Sequence, residues 1–116
     1  MNLRSARASD RPALLRLLKA NLPSAQLPDS DDAVTLVAEE GNDLLGCGTL
    51  LPTGELVLLC VEKSQRRKGI GATLCAFLEM QLPLERLTVA APPAVRPFFQ
   101  HQGYRPAGGV LEKELV

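Results

Sequence analysis

Aromatic side chains and net charge are both scarce in this chain. Aromatic residues make up 3% of its 116 residues, and tryptophan is absent. Proteins that bind single-stranded nucleic acid stack its bases on exposed aromatic rings, and nonspecific nucleic-acid binders usually carry a clear excess of positive charge. Here thirteen basic residues are balanced by thirteen acidic ones. The composition therefore disfavours a nucleic-acid partner.

Histidine and cysteine are too few for a metal site or a disulfide framework. The chain has one histidine and three cysteines, Cys47, Cys60 and Cys75. The cysteines are odd in number, widely spaced and surrounded by apolar residues, and they form no C-x-x-C pair. We expect no bound metal and no disulfide, and we expect these cysteines to be small buried residues of the core.

Long apolar runs are also absent. No stretch approaches the roughly 20 apolar residues of a membrane-spanning helix, and the polar segment MNLRSARASD lacks the apolar region of a signal peptide. We therefore predict a cytoplasmic protein with no membrane partner. Apolar residues nevertheless make up 46% of the chain, which is enough for an aliphatic core. The length predicts one domain, residues 1–116.

The first half of the chain has the pattern of a strand, a helix and three further strands. Leucines recur at helical spacing after Asp10, a candidate N-cap, and Pro12, which suits a first helical turn. This helix should end before Pro23, and prolines and aspartates then predict a loop over residues 21–33. Strands are predicted over residues 2–7, 34–38, 44–51 and 55–61, the last three as an antiparallel meander.

The second half alternates helices and strands. The core-facing side of a helix that begins at Gly69 and stops at Pro83 is predicted to carry Ile70, Leu74, Phe77, Leu78 and Leu82. A strand over residues 86–91, a short helix over 95–102 and a closing strand over 111–116 follow. This order predicts an α/β (α+β) fold with a mixed, mostly antiparallel sheet flanked by helices.

The stretch QRRKGIGATL, residues 65–74, places three cations immediately before a helix. Cations are unfavourable there because the N-terminal end of the helix dipole is positive. A bound anion would reverse this, since glycines let it approach the backbone and the first N–H groups of a helix have no partner. The spacing fits neither the P-loop nor the dinucleotide-binding motif. An ordinary solvated loop is the alternative.

The spacing Arg66-x-x-Gly69-x-Gly71, after an apolar strand that ends at Val61, resembles the acyl-coenzyme A signature Q/R-x-x-G-x-G/A of the GNAT N-acetyltransferases. The resemblance covers most of the chain. DRPALLRLL looks like the first helix of the family, and FFQHQGY looks like its closing Tyr-x-x-x-Gly-Phe segment. It implies a GNAT-like fold, acetyl-CoA as cosubstrate, and direct transfer of an acetyl group to a primary amine of a small molecule or peptide.

The resemblance also implies the cofactor contacts. Backbone N–H groups around the two glycines would hold the pyrophosphate, and a gap beside the preceding strand would hold the pantetheine arm. There the N–H of Leu59 would face the thioester oxygen and stabilise the oxyanion. The residues carried over are Leu59, Cys60, Val61, Arg66, Arg67, Lys68, Gly69, Ile70, Gly71, Ala72, Thr73 and Phe99.

Catalysis needs a group that removes a proton from the amine, because such amines are mostly protonated at pH 7. Glu55 lies 14 residues before Gly69, which matches the general base of the histone-acetyltransferase-like members. Alternatively, it faces solvent at the start of a strand. Phe99 stands where many members have a tyrosine that reprotonates the thiolate, so the thiolate leaves unaided or another donor, Tyr104 or His101, replaces it.

The acceptor is weakly specified by the sequence. Asp29, Asp31 and Asp32 could attract a cationic amine or could belong to a solvated face. The short loop leaves an open groove, which some small members of the family complete by forming a homodimer. Because the tyrosine is missing, a non-catalytic regulatory or sensor module that binds acyl-CoA is a second interpretation. Phosphate or nucleotide binding without coenzyme A is a third.

Overall fold

The computed structural model describes residues 1–116 and contains three α-helices and seven strands. Short 3₁₀ turns precede α1 and α3 and follow β4. In chain order the elements are β1 Asn2–Ser5, α1 Arg11–Asn21, β2 Val34–Glu40, β3 Asp43–Leu50, β4 Leu56–Val61, α2 Ile70–Glu79, β5 Arg86–Val89, α3 Arg96–His101, β6 Arg105–Ala107 and β7 Val110–Glu114.

The strands form two antiparallel sheets that meet at one point. Their orders are β1-β2-β3-β4 and β5-β7-β6. Glu55, immediately before β4, pairs in parallel with Thr88 of β5, and the Thr88 N–H donates to the Gly54 carbonyl at 2.9 Å. This is the only pair between the two sheets. The arrangement confirms the predicted mixed, mostly antiparallel sheet flanked by helices.

Helices cover both faces of the four-stranded sheet. The smaller core lies under α1, and the larger core lies under α2 and continues beneath β5 and β7. All three cysteines are buried, as predicted, and none of them forms a disulfide in the structure. Burial raises the pKa of Cys47 and of Cys75 to about 12, so these thiols pack in the core as protonated, unreactive groups.

The first half of the chain follows the prediction with two exceptions. Strand β1 ends at Ser5, two residues earlier than predicted, and Asp10 makes no capping hydrogen bond because its carboxylate binds Arg4. Helix α1 has Pro12 in its first turn and ends at Asn21, before Pro23. Residues 22–33 form neither helix nor strand. Strands β2, β3 and β4 form the expected antiparallel meander, because short turns at residues 41–42 and 51–55 join consecutive strands.

Helix α2 differs from the prediction in its C-terminal end and in one residue of its buried face. The helix ends at Glu79 and does not reach Leu82. The residue before Pro83 avoids helical conformation, and Nε2 of Gln81 donates to the Phe77 carbonyl at 3.0 Å, which satisfies one of the last helical acceptors. Phe77 was placed on the core face but is 41% exposed, because it lies at the edge of the buried stripe.

The closing segment is a hairpin where the sequence predicts a single strand. Strand β6 is short, exposed and at the sheet edge, and Pro106 within it masks the strand pattern. Gly108 and Gly109, with φ of +57° and +77°, form the turn into β7. Two consecutive glycines are a recognised hairpin signal. Strand β5 ends at Val89 and β7 at Glu114, each two residues earlier than predicted.

Replacing Leu78 by alanine tests the corrected face of α2. Leu78 is fully buried, so Leu78→Ala should lower the free energy of unfolding by about 2–5 kcal/mol. The matched change Phe77→Ala, one position away and on the exposed side, should lower it by less than about 1 kcal/mol. Urea unfolding of both variants measures the difference, and equal losses would contradict the assigned face.

Candidate active site

Beyond Glu55, no strand pairs with β4 on the side opposite β3, and this unpaired side is called the gap below. The Glu62 N–H donates to the Leu45 carbonyl of β3 at 2.8 Å. In an antiparallel pair, hydrogen-bonded residues alternate with residues whose backbone groups point away from the partner strand. Along the same register, Cys60 is again at a hydrogen-bonded position. Leu59 and Val61 alternate with it, so their N–H and carbonyl groups point away from β3.

A side-chain hydrogen bond also shows that the Val61 carbonyl points away from β3. The Val61 carbonyl accepts a hydrogen bond from Nε of Arg66 at 3.1 Å, away from β3. Because β5 leaves β4 after the pair at Thr88, no strand pairs with the Leu59 N–H. Leu59 and Val61 can therefore offer backbone groups to a ligand in the gap. The backbone of Cys60 is directed to β3. Of the three predicted contact residues in β4, Leu59 and Val61 are therefore better placed than Cys60 to contact a ligand.

Residues 63–69, called the glycine loop below, turn the chain from β4 into α2. Two of its residues have left-handed backbone conformation: φ is +66° at Arg67 and +82° at Gly69. Glycine adopts this conformation freely, but it is strained for arginine. Backbone strain of this kind persists where the surrounding structure imposes it, and it concentrates at functional sites.

The backbone N–H groups of residues 67–72 have no acceptor within the protein. The next amide, that of Thr73, donates to the Gly69 carbonyl at 3.0 Å, and the Thr73 hydroxyl donates to the same carbonyl at 2.8 Å. Consecutive unpaired N–H groups at the start of a helix attract an anion, because they point at it and the helix dipole adds to their charge.

The cations of the glycine loop have no carboxylate partner. Arg66, Arg67 and Lys68 are exposed, and none of them takes part in a salt bridge. The Nζ of Lys68 donates only to Oε1 of Gln65, at 3.3 Å. Their positive charge therefore adds to that of the helix N-terminus, and the combination favours a ligand with more than one negative charge.

Gly71 allows an aromatic ring to pack on the start of α2. A Cβ atom at Gly71 would lie 3.3 Å from the Phe98 ring. Phe99 is 5% exposed and packs within the core. Its ring centroid lies 5.1 Å from that of Phe98 and 5.5 Å from that of Tyr104, both edge to face. Of the two adjacent phenylalanines, Phe98 is thus the one beside the glycines.

The two alternative proton donors differ in their surroundings. The Tyr104 hydroxyl is buried without a hydrogen-bond partner, and burial raises the pKa of Tyr104 above its usual value, which makes it a weaker acid. His101 is exposed at the C-terminal end of α3. Neither environment is therefore well suited to replace the tyrosine that many family members have at position 99.

Glu55 stands in a row of polar residues that crosses the junction of the two sheets. It pairs with Thr88, which pairs with Glu112, which pairs with Arg105. Directly paired residues project from the same face of a sheet. The adjacent Leu111 is buried in the core under α2, so the row projects from the opposite face, the one that α1 covers in the first sheet. There Glu55 is exposed.

Glu112 is a candidate site residue that the sequence analysis missed. Its carboxylate is half-buried, and Oε2 lies 4.0 Å from Nη1 of Arg86. The alternation of apolar and polar residues at the end of the chain could have shown that Glu112 and Glu114 share a face of one strand. It could not have shown that Thr88 and Glu55 lie beside them, because that depends on pairing between distant segments.

A family comparison agrees with this geometry. Residues 14–115 match the model of the acetyltransferase (GNAT) domain family. The chain belongs to the GNAT acetyltransferases. The match includes the strand before the glycine loop, the loop itself and the start of α2, which together carry the unpaired N–H groups. Among curated proteins, no significant match was found.

Solved structures of GNAT proteins superimpose on nearly the whole chain. A GNAT-family acetyltransferase from Staphylococcus aureus is 15% identical, with a TM-score of 0.79, and 99% of each chain is covered. An aminoglycoside 6'-N-acetyltransferase in complex with coenzyme A is 16% identical, with a TM-score of 0.84, covering 100% of this chain and 98% of the other. A ribosomal-protein alanine N-acetyltransferase from Escherichia coli is 12% identical, with a TM-score of 0.79, covering 99% and 94%. At these identities the likeness establishes the fold.

Two further features of this GNAT chain concern metals and membranes. No group of three or more histidine, cysteine, aspartate or glutamate side chains is placed to hold a metal ion. None of the helices has the length and apolarity needed to cross a membrane.

Substituting Gly69 tests the role of the left-handed turn in the glycine loop. Gly69→Ala meets no steric obstacle, but the left-handed conformation should cost roughly 1–2 kcal/mol of stability. We expect it also to weaken binding of coenzyme A, because the N–H groups of residues 67–72 depend on this turn. Calorimetric titration with coenzyme A measures the second effect.

The matched control is Gly108→Ala. Gly108 also has positive φ and open space around it, but it lies in the β6–β7 turn of the second sheet. The Gly108→Ala variant should lose about as much stability as Gly69→Ala but should bind coenzyme A as tightly as the unchanged protein. Equal affinities in the two variants would argue against the glycine loop as the binding element.

Proposed function

We propose that this acetyltransferase moves an acetyl group from acetyl-CoA to a primary amine of a small molecule or peptide by direct attack. The observation that carries the proposal is the run of unpaired N–H groups at residues 67–72, at the end of a strand that faces a gap. A related fold, that of the aminoglycoside 6'-N-acetyltransferase, was solved with coenzyme A. Residues 1–116 would form one such catalytic domain.

The glycine loop would bind the pyrophosphate of acetyl-CoA. The backbone amides of Arg67 to Ala72 supply the donors, and Arg67 and Lys68 supply charge without a competing carboxylate. A diphosphate satisfies both requirements, because it carries several acceptor oxygens and more than one negative charge. This arrangement resolves the unfavourable placement of cations before a helix.

Strand β4 would hold the reacting thioester. The Leu59 N–H, which has no strand partner, is directed into the gap and would donate to the thioester oxygen as negative charge develops there. Because the backbone does this, exchanging the Leu59 side chain for another aliphatic one should matter little. The Val61 carbonyl borders the same gap and already anchors Arg66.

Glu55 would act as the general base. It lies four residues before Leu59, about 13 Å away along an extended strand, so its carboxylate reaches the amine through a water molecule. Exposure on the face opposite the α2 core gives the acceptor access to it. The amine then attacks directly, since Cys47, Cys60 and Cys75 are buried thiols whose pKa is raised by burial, which leaves no cysteine suited to form an acyl-enzyme.

The leaving thiolate would depart without a tyrosine. Phe99 has no exchangeable proton, and a thiol pKa near 8.5 makes the thiolate a tolerable leaving group near neutral pH. Water in the open gap can then supply the proton. A slower rate than in tyrosine-containing relatives is the expected consequence.

Exposed carboxylates in two parts of the chain suit a cationic acceptor. Glu112 lies two strands from Glu55 on the same face, although Arg86 offsets part of its charge at 4.0 Å. Asp29, Asp31 and Asp32 are exposed in the loop between α1 and β2 without ion-pair partners. These carboxylates favour an acceptor that carries positive charge besides its reacting amine. A homodimer that completes this groove remains a prediction.

The replacement of tyrosine by Phe99 favours one alternative, a non-catalytic module that binds acyl-CoA. Binding and turnover distinguish the two functions. With acetyl-CoA at about 100 times its dissociation constant, a stabilisation of about 2.7 kcal/mol should raise the unfolding midpoint by roughly 10 °C, whereas ATP should have little effect. Turnover with any member of a panel of cationic amines would exclude the non-catalytic alternative. No shift with acetyl-CoA would overturn the proposal.

Removing the Glu55 carboxylate tests the base assignment. Glu55→Gln should lower kcat/KM by about 100-fold or more, since general-base catalysis contributes at least this factor, and it should flatten the acid limb of the pH–rate profile. Glu40→Gln, at an exposed position at the end of β2, is the control and should behave like the unchanged protein. An unaltered rate and pH profile in Glu55→Gln would show that another group removes the proton.

A further inference from the structure

The glycine loop has few contacts with the body of the protein. Its residues are exposed, apart from the half-buried Gln65, so core packing does not hold them. Their hydrogen bonds stay within residues 61–73, with one exception. The Lys63 N–H donates to Oδ1 of Asn21 at 2.9 Å. A single side chain therefore ties the loop to a distant part of the chain.

Asn21 is itself held in one orientation. Its Nδ2 donates to the Leu17 carbonyl at 2.9 Å and to Oε2 of Glu62 at 3.1 Å. It is the last residue of α1, which is anchored in the smaller core by buried leucines. Both ends of the side-chain amide are thus engaged, and the residue that carries it cannot move independently of the core.

Two of the three hydrogen bonds of Asn21 reach the place where β4 ends and the glycine loop begins. Glu62 still belongs to the β3–β4 ladder through its N–H bond to Leu45, whereas Lys63 opens the 3₁₀ turn that leads to Arg66. By contacting both residues, Asn21 fixes the direction in which the chain leaves the strand. The unpaired amides of residues 67–72 follow within a few residues of this point.

We propose that Asn21 is a positioning residue for acetyl-CoA: it fixes the start of the glycine loop and so sets the affinity for the cosubstrate without touching it. This inference rests on the proposed function. A tethered loop has already lost its conformational freedom when the protein folds, whereas an untethered loop loses it on binding and weakens the affinity accordingly.

Binding of coenzyme A to Asn21→Ala, measured by calorimetric titration, tests the inference without an identified acceptor. The dissociation constant should rise roughly 5- to 10-fold, the range expected for losing one or two hydrogen bonds that order the loop. Asn2→Ala is the matched control. Asn2 also contacts a glutamate side chain, Glu39, but at the far edge of the first sheet, so its loss should leave the dissociation constant unchanged.

Exchanging the amide of Asn21 and the carboxylate of Glu62 distinguishes a positioning role from general destabilisation. Asn21→Asp keeps an acceptor for the Lys63 N–H but sets a carboxylate against that of Glu62, so binding should weaken. Combining it with Glu62→Gln restores an amide–carboxylate pair in the reverse order and should return the dissociation constant to within about twofold of the unchanged protein. General destabilisation would not give this rescue, because the double variant still lacks the bond to the Leu17 carbonyl. Glu62→Gln alone controls for charge: tighter binding than in the unchanged protein would attribute the rescue to charge and count against positioning.

The outcomes distinguish the inference from the proposed function. Weakened binding in both single variants, with rescue in the double variant, supports the role of Asn21. Unchanged affinity in a folded Asn21→Ala variant, or in Asn21→Asp if the alanine variant does not fold, overturns it and leaves the proposed function intact. If the unchanged protein bound no coenzyme A, the proposed function and this inference would both fall.

Discussion

Strand β4 has a neighbour on only one side beyond Glu55, and the candidate site depends on this constraint. The two sheets share a single pair, and the hydrogen bond from Thr88 to Gly54 is formed there. Beyond this pair, the backbone groups of Leu59 and Val61 have no strand to bind. Unpaired backbone groups cost free energy unless water or a ligand satisfies them. A fold that keeps such groups beside a gap is suited to bind an extended, polar ligand there.

The groups proposed for catalysis and for cosubstrate binding follow one another along strand β4. The junction at the start of β4 carries the candidate base, the middle of the strand carries the oxyanion donor, and the end of the strand delivers the chain into the glycine loop. Most of the proposed contacts with the cosubstrate come from backbone atoms. Backbone contacts of this kind depend little on side-chain identity, and solved structures that share this fold are only 12–16% identical to the chain.

The sequence predicted those features of the fold that depend on local patterns. The meander of β2, β3 and β4, the loop over residues 22–33 and the helix after Gly69 follow from apolar periodicity and turn residues. Phe77 was misplaced because periodicity alone does not show which edge of a helical stripe the neighbouring sheet covers. Leu82 was wrongly included in the helix because the conformational restriction before Pro83 outweighs the apolar periodicity. Strand β6 was missed because Pro106 disrupts its short pattern.

The site was less predictable, because its parts meet through long-range pairing. The motif with Arg66, Gly69 and Gly71 points to the segment whose amides are unpaired in the structure, since motif and amides belong to one continuous stretch; their role in binding stays a prediction. It could not show that Leu59 and Val61, but not Cys60, face the gap, because this alternation is set by the register with β3. Glu112 and Asn21 were missed for the same reason: their partners lie far from them in the sequence.

The central claim is that the backbone amides of residues 67–72 bind the pyrophosphate of coenzyme A. Amide NMR spectra of the ¹⁵N-labelled protein, recorded during titration with coenzyme A, test it most directly. We predict that the largest chemical-shift changes fall on the amides of residues 67–72, followed by those of Leu59 and Val61, because these N–H groups gain a hydrogen-bond partner. Saturable changes that leave residues 67–72 unaffected, or no changes at all, would contradict the account.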